Sequence, residues 1–318
     1  MKCHQRIIRE QEALSPEPDE HLKREAAASF ENAFVREITR EQAETIITRY
    51  EWLTNMGSTR WSMGLIFRHP TNGQEYLAGV ACFGDTGGTG VYSAICGEEW
   101  KRRAITLVRG ACVAWADHDV RKGDKVHTGA AASFLINRAC RLMVEKGFNI
   151  FCAYSDEGSG VFEVGTVYQG AGWLYVGRGG TDIAQLRSDG RIIGSKIIAT
   201  KIKDRSGHPD KRRGATMEDV DKWAEESRQQ GYTVKGSGWY RYKIRKHEDG
   251  RDMTRAEVKQ QLIAEHGEFE RTTPKHRYIH FAGDKRTLKE LRRALKLPIL
   301  KYPKRPSPAP SMPLQKAA

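Results

Sequence analysis

The residues best suited to chemistry lie between Tyr154 and Gly177, in the stretch YSDEGSGVFEVGTVYQGAGWLYVG. The preceding apolar phrase, FNIFCAY, predicts a buried strand that leads directly into Ser155 and Asp156. GTVYQGAG predicts a short helix that carries Tyr168, and WLYVG predicts the next strand. A carboxylate at a strand end and a tyrosine on the following helix can converge on one cleft and transfer protons there.

Both side chains also have structural explanations. Ser-Asp before glycine is ordinary turn chemistry, so Asp156 could cap a helix or form a turn. Tyr168 could pack on the sheet with its hydroxyl satisfied, as half-buried tyrosines usually do. The residues alone leave these alternatives open.

Arg109 and Ser133 are two further candidates. Arg109 interrupts the apolar phrase AITLVRGACVAW, and a buried arginine needs a partner. It could pair with Asp156, bind a phosphate or carboxylate in bidentate fashion, or point to solvent from an edge strand. Ser133 stands at the start of a predicted helix, after Gly129, where free backbone N–H groups can bind an anion. Ser133 as a simple N-terminal cap is the alternative.

The surrounding elements predict an α/β domain with a mixed central sheet flanked by helices. A helix at 39–54, which starts at Thr39, precedes the other elements. Strands at 61–67, 75–84 and 104–115, a helix at 130–147 and a strand at 148–154 complete the order before the motif. RIIGSKIIATKI (191–202) could add a strand or two. Beyond it, the sequence predicts a basic α+β extension, with helices at 216–231, 254–267 and 287–296 and a strand at 275–283.

Asp156, the spaced glycines, GTVYQ and WLYVG together resemble the Mom family of phage DNA-modification proteins. The order of elements over 35–202 is similar to that of the acetyltransferase-like (GNAT) sheet. The L-x-R phrase at Arg109, the serine at 133, KHRYIHF and the later KYPK match the same family, although this chain has two more residues between Asp156 and Tyr168.

The resemblance implies transfer of a small acyl-derived group to the exocyclic amine of adenine, giving carbamoylmethyl-adenine in the best-known case and protecting phage DNA from host restriction. Asp156 is then expected to take the amine proton, and Tyr168 to protonate the leaving group or an oxyanion. Arg109 would hold the donor or orient Asp156. Because the amine lies inside the duplex, we expect the base to flip out.

The donor is not defined by the sequence. Acetyl-CoA or a related acyl donor is one candidate, with Arg109, Ser133 and Gly129 as the residues that would bind it. However, the GNAT pyrophosphate signature is absent in strict form from VHTGAAASF. The six cysteines form no CxxC pair and the histidines no HxxxH or HExxH spacing, so no metal site is predicted. Cysteines in apolar phrases favour a reducing, cytoplasmic compartment, in the host cell if the chain is phage-encoded.

Charge is divided unevenly along the chain. Residues 1–180 carry a net charge of −1 and residues 181–318 carry +14, which predicts a polyanion partner, most simply double-stranded DNA. The candidate DNA contacts are Lys243, Arg245, Lys246, Lys275, Arg277, Arg292 and Arg293, several of them interleaved with aromatics. A solubilising basic face with a disordered tail is the simpler alternative.

The predicted organisation has four parts: a peripheral segment (1–34), a GNAT-like catalytic domain (35–202), a basic module (203–300) and a proline-rich tail (301–318). No apolar run approaches the ~20 residues of a membrane span, and no secretory signal is visible. Two other functions stay open, namely a conventional GNAT N-acetyltransferase acting on a protein or small amine, and a non-catalytic DNA-binding protein. The sequence defines no oligomeric state.

Overall fold

The computed structural model describes residues 4–14, 17, 19–51, 55–85, 90–116, 120–122, 125–127, 130–156, 163–179, 184–188, 191–194, 201–207, 216–235, 238, 240–271 and 274–304. Its helices are α1 (His4–Ala13), α2 (Glu20–Ala26), α3 (Arg40–Tyr50), α4 (Ser93–Cys96), α5 (Ala130–Glu145), α6 (Thr166–Gly170), α7 (Met217–Gln229), α8 (Arg255–His266) and α9 (Lys285–Ala294). Its strands are β1 (Ala33–Ile38), β2 (Thr59–Arg68), β3 (Glu75–Gly84), β4 (Ala104–Cys112), β5 (Val120–Lys122), β6 (Lys125–His127), β7 (Ile150–Ser155), β8 (Leu174–Gly179), β9 (Ala184–Ser188), β10 (Arg191–Gly194), β11 (Lys203–Gly207), β12 (Thr233–Lys235), β13 (Tyr240–Ile244), β14 (Glu270–Arg271) and β15 (Lys275–Phe281).

A seven-stranded mixed sheet in the order β1-β2-β3-β4-β7-β15-β8 organises the fold. Its neighbours are antiparallel except for β4 and β7, which run parallel at the centre. Helices pack against this sheet, so the predicted α/β fold with a mixed central sheet flanked by helices is confirmed. The predicted helix start at Thr39 is also confirmed, because Thr39 and Gln42 form a reciprocal capping box at α3.

The two central parallel strands separate along their length. They pair only from Ala104–Leu107 to Ile150–Ala153, although β4 continues to Cys112 and β7 to Ser155. The register of β4 against β3 shifts at the same point, since Leu107 pairs with Phe83 and Arg109 with Cys82. This irregularity turns β4 away from β7. The two strands are therefore unpaired at the end of β7, where Asp156 follows Ser155.

The sheet is buried on both faces by alternating side chains. Phe151 and Ala153 face a core that includes α3 and α5, while Ile150 and Cys152 face a second cluster that includes Leu291 of α9. In α5, the apolar side chains Leu135, Ile136, Ala139, Cys140 and Met143 are all buried. The helix predicted at 130–147 is therefore present as α5, and these side chains form its buried face.

Residues 1–34 were expected to be peripheral, but part of this segment belongs to the core. Ala26 and Ala27 are buried, and α1 binds the end of β4. There, Gln5 Nε2 donates to the carbonyl of Gly110 at 2.9 Å, and Arg9 Nε donates to that of Cys112 at 3.1 Å. The side chains of this segment satisfy β4 backbone groups that β7 does not reach.

The chain forms two compact units, which divide differently from the predicted ranges. One unit contains residues 1–180 and 273–318, and the other contains residues 181–272. The range 203–300 is therefore not one module, because β15 returns to the central sheet and lies between β7 and β8. Strand β10, in the phrase expected to extend the catalytic domain, instead joins β9 and β14 in the second unit.

The second unit contains two small antiparallel sheets, β10-β9-β14 and β11-β13-β12, with α7 and α8. Its apolar cluster is small and centres on Ile202, Val258 and Leu262. Arg241 is packed rather than free, with its guanidinium over the rings of Tyr232 and Trp223 at 4.1 and 5.0 Å. The described helices include none long and apolar enough to cross a membrane.

Candidate active site

Asp156 follows the end of β7 and is only 8% exposed. Its Oδ2 lies 3.1 Å from Nζ of Lys275, the first residue of β15. The antiparallel register that sets His276 opposite Ser155 brings these residues together. Its backbone carbonyl accepts a hydrogen bond from the amide of Glu163 at 2.9 Å.

Tyr168 is on α6, the helix that follows Asp156 in the chain. Its ring centroid is 5.2 Å from those of Trp173 and Tyr278. No described residue forms a hydrogen bond with its hydroxyl. Burial, with the negative charges of Glu163 and Glu51 nearby, raises the pKa of Tyr168 well above its ordinary value, so the phenol stays protonated at neutral pH.

The backbone that carries Tyr168 is held by Gly165 and Tyr278. Gly165 has a φ of +70°, and a Cβ atom there would lie 2.5 Å from Cε2 of Tyr278. Only glycine fits this position without strain. Tyr278 in turn donates a hydrogen bond of 2.5 Å to the carbonyl of Val164, and Gln169 Nε2 donates to the same carbonyl at 3.0 Å. The GTVYQ motif is therefore a rigid support for Tyr168.

The late KYPK phrase also supports α6. The Tyr302 hydroxyl donates to the carbonyl of Trp173 at 2.8 Å, and Gln169 Nε2 lies 3.3 Å from the carbonyl oxygen of Pro303. Backbone pairing between Leu300 and Tyr175 continues this contact. The resemblance noted for this phrase thus has a structural counterpart beside Tyr168.

Glu51 is a site residue that the sequence reasoning missed. It follows the last residue of α3, and its Oε1 accepts a hydrogen bond of 3.2 Å from the amide of Gly110. Burial raises the pKa of Glu51 to about 7, opposed by that hydrogen bond and by Arg109 and Lys275, and reinforced by Glu163. No local signal marks Glu51, because its environment comes from β4, distant in sequence.

Arg109 does not pair with Asp156. Its Nε donates to the backbone carbonyl of Asn55 at 2.8 Å and its Nη2 to the Asn55 side chain at 3.0 Å. A Cβ atom on Gly57 would lie 3.1 Å from Nη2, so the guanidinium fills the space beside that turn. Arg109 therefore holds Asn55, and of the three alternatives for this arginine, the ion pair with Asp156 is wrong.

The part of β4 beyond Leu107 does not pair with β7, so its edge is a possible binding place for an acyl-coenzyme A arm. An amide-bearing chain binds an open strand edge through the free backbone groups there. Here the Gly110 amide and carbonyl are bound by Glu51 and Gln5, and the Val108 and Cys112 carbonyls accept from Arg109 and Arg9. In this arrangement, β4 does not offer such an arm its partners.

The other candidate donor-binding residues lie at the start of α5. Ser133 is in the first turn of that helix, which begins at Ala130, so Ser133 is not the N-terminal cap. Gly129 lies outside the described residues. Within the described ranges, no cluster of three histidine, cysteine or acidic side chains could hold a metal ion.

The candidate DNA-binding cations fall into three places. Lys243, Arg245 and Lys246 are exposed in the second unit. Lys275 and Arg277 are half-buried in the central sheet, with Lys275 committed to Asp156. Arg292 and Arg293 are exposed on α9, where they line one surface groove with Lys285, Leu288 and Lys289.

Comparison with solved structures found distant matches to acetyltransferases. A GNAT family N-acetyltransferase (YhbS) from Escherichia coli, solved in complex with CoA, is 13% identical and has a TM-score of 0.28, covering 45% of this chain and 68% of the other. A protein described as a phosphinothricin N-acetyltransferase is 13% identical with a TM-score of 0.29, covering 51% and 93%. A search of curated proteins found no match.

The model of the Mom protein family matches residues 32–242, about two thirds of the chain. That range includes Glu51, Arg109, Asp156 and Tyr168, and it ends before β15. The chain belongs to the Mom protein family.

Proposed function

We propose that this chain transfers an acyl-derived group to the exocyclic amine of adenine in double-stranded DNA, and so protects phage DNA from restriction. The observation that carries the proposal is the Asp156–Lys275 ion pair at the end of β7, with Tyr168 on the next helix, in a chain of the Mom family. Family membership supports a transferase on DNA, and these side chains support proton transfer.

The adenine amine is conjugated with the ring, so it is a weak nucleophile that must lose a proton as it attacks. A carboxylate positioned beside the amine supplies that function, typically worth 10²–10⁴-fold. An activated acyl donor supplies the transferred group. Tyr168 supplies a proton to the leaving group, because its phenol is protonated at neutral pH.

Lys275 and Asp156 act together in this proposal. The lysine fixes the carboxylate at one orientation, where an oxygen can accept a hydrogen bond from the adenine amine. The ammonium group also places positive charge where negative charge develops during transfer. A flipped adenine could reach these groups, because unstacking one base costs only a few kcal/mol.

The exposed face of α9 supports the DNA substrate. Residues 273–318 contain 12 Lys and Arg against two Asp and Glu, so most of the chain's excess positive charge lies in the unit that holds the candidate site. On α9, four cations share one face at helical spacing: Lys285, Lys289, Arg292 and Arg293. This face extends for about 12 Å and is suited to several consecutive phosphates.

Plasmid DNA from cells that express the chain tests this proposal. Restriction enzymes whose sites contain adenine should fail to cut that DNA, while DNA from cells that express Tyr168→Phe at equal level should be cut normally. If the restriction enzymes cut the DNA from both kinds of cell completely, the proposed protection is refuted. A conventional acetyltransferase of proteins or small amines would give that result, because it would leave the DNA unmodified.

A further inference from the structure

Glu51 occupies the point where the two central strands diverge. Its Oε1 is bound to the Gly110 amide, beyond the last β4–β7 pair at Leu107 and Ala153. No other hydrogen bond to Glu51 is made by the described residues, so Oε2 keeps its acceptor capacity. The carboxyl group is thus anchored through one oxygen, with the other available to a substrate.

Charged and titratable groups surround Glu51 from every neighbouring element. Arg109 of β4 and Lys275 of β15 favour its carboxylate, whereas Glu163, before α6, disfavours it. Cys82 of β3 and Tyr168 of α6 also interact electrostatically with Glu51, and both have raised pKa values. Burial is the largest influence, and together with these charges it leaves the pKa of Glu51 at about 7, where a general base works best at physiological pH.

Asp156 already has a partner for one of its carboxylate oxygens. Its Oδ2 lies 3.1 Å from Nζ of Lys275. Among the described residues, Glu51 has no ion pair within 4 Å, and the nearby Arg109 donates its hydrogen bonds to Asn55 and Val108.

We infer that Glu51, rather than Asp156, accepts the proton that the adenine amine loses during transfer. This assignment rests on the proposed function. In the step, a bond forms between the amine nitrogen and the transferred carbon of an activated acyl donor. The bond from that carbon to its leaving group breaks, and the leaving group takes its electron pair and a proton from Tyr168. The amine proton passes to Oε2 of Glu51.

The test measures modified deoxyadenosine by mass spectrometry at pH 6 to 8.5. Purified full-length protein acts on duplex DNA, with the low-molecular-mass fraction of expressing cells as the donor source. Wild type should show a rate that rises through about pH 7. Glu51→Gln should lose at least 100-fold and the pH-dependent rise, while Glu51→Asp keeps the rise at a reduced rate. Glu44→Gln, at an exposed position on α3, should match wild type.

Asp156→Asn separates the two carboxyl groups, because it should keep the pH-dependent rise even at a lower rate. If Asp156→Asn loses the rise and Glu51→Gln keeps it, the base is Asp156 and the inference is wrong. A Glu51→Gln protein with normal rate and normal profile also overturns it, with the proposed function intact. If wild type modifies no adenine, the proposed function fails and the inference fails with it. Should Glu51→Gln not fold, a Glu51→Asp protein indistinguishable from wild type is the refuting result.

Discussion

Nζ of Lys275 lies 3.1 Å from Oδ2 of Asp156, although about 120 positions separate the two residues in the chain. Strand β15 makes this contact by returning to the central sheet after the whole second unit, and pairing antiparallel with β7. A basic strand that resembles a nucleic-acid contact in sequence therefore completes the candidate site.

Asp156 and Lys275 should behave as one functional unit. Asp156→Asn and Lys275→Met should each reduce adenine modification, and the double variant should lose little more than the worse single one, because each change already breaks the pair. A thermodynamic cycle on unfolding should give a coupling of about 1 kcal/mol. Losses in activity that multiply would show that the residues act independently.

Substitutions of Tyr168 and Tyr278 should separate an effect on catalysis from an effect on stability. Tyr168→Phe removes a hydroxyl without a hydrogen-bond partner among the described residues, so it should leave the melting temperature unchanged and cut modification at least 100-fold. Tyr278→Phe is the matched control, because it removes the hydrogen bond to the Val164 carbonyl and should cost about 1–2 kcal/mol of unfolding free energy. Calorimetry and nucleoside analysis of both variants measure the two effects. Normal activity in Tyr168→Phe would remove it from the mechanism.

Glu51 should make stability depend on pH. Its pKa is about 7 in the folded chain against an ordinary 4.5, so the stability it contributes is present below about pH 4.5 and is lost as the pH rises through 7. Glu51→Gln cannot ionise, and should equal wild type near pH 4.5 but exceed it by about 1–3 kcal/mol at pH 8. Urea unfolding at the two pH values measures this difference. A difference that does not change with pH would mean that Glu51 is not a buried carboxyl with a raised pKa.

The local elements were predictable because their signals are local. The Thr39 cap, the apolar face of α5 and the strand–helix–strand around Tyr168 follow from capping chemistry and periodicity. The pairing of β15 was not predictable, because a strand's partner across an intervening unit leaves no periodic trace. The role of Lys275 was missed for that reason.

Glu51 illustrates a second limit. Its neighbours in sequence give the pattern of an ordinary helix end, and only the folded chain places it half-buried beside the Gly110 amide. The net charge of each half of the chain could be counted from the sequence, but the unit of the fold that carries it could not be predicted. The excess in the second half of the chain was visible, but most of it belongs to the segment that rejoins the first unit.

The α9 face should supply phosphate contacts. Arg292→Gln with Arg293→Gln should lower the slope of log K against log salt by about 2, because each phosphate contact contributes about 0.9. Arg60→Gln with Lys101→Gln removes the same charge from residues paired with Asp85 and Glu98, and should change the slope little. Fluorescence anisotropy with duplex DNA at several salt concentrations measures both. Equal slopes for the two double variants would place the contacts elsewhere, with Lys243, Arg245 and Lys246 the next candidates.

A chain truncated near Gly207 is not a suitable test of DNA binding by the second half of the chain, because it would lack strand β15 of the central sheet.

Mass spectrometry of deoxynucleosides tests the central claim most directly. DNA is taken from cells that express the full chain, from cells that express Tyr168→Phe and from cells with neither. The account predicts a deoxyadenosine of increased mass only with the wild-type chain, with fragmentation that locates the added group on the exocyclic amine. Unmodified deoxyadenosine with abundant folded wild-type protein, or a modification on another base, would contradict it.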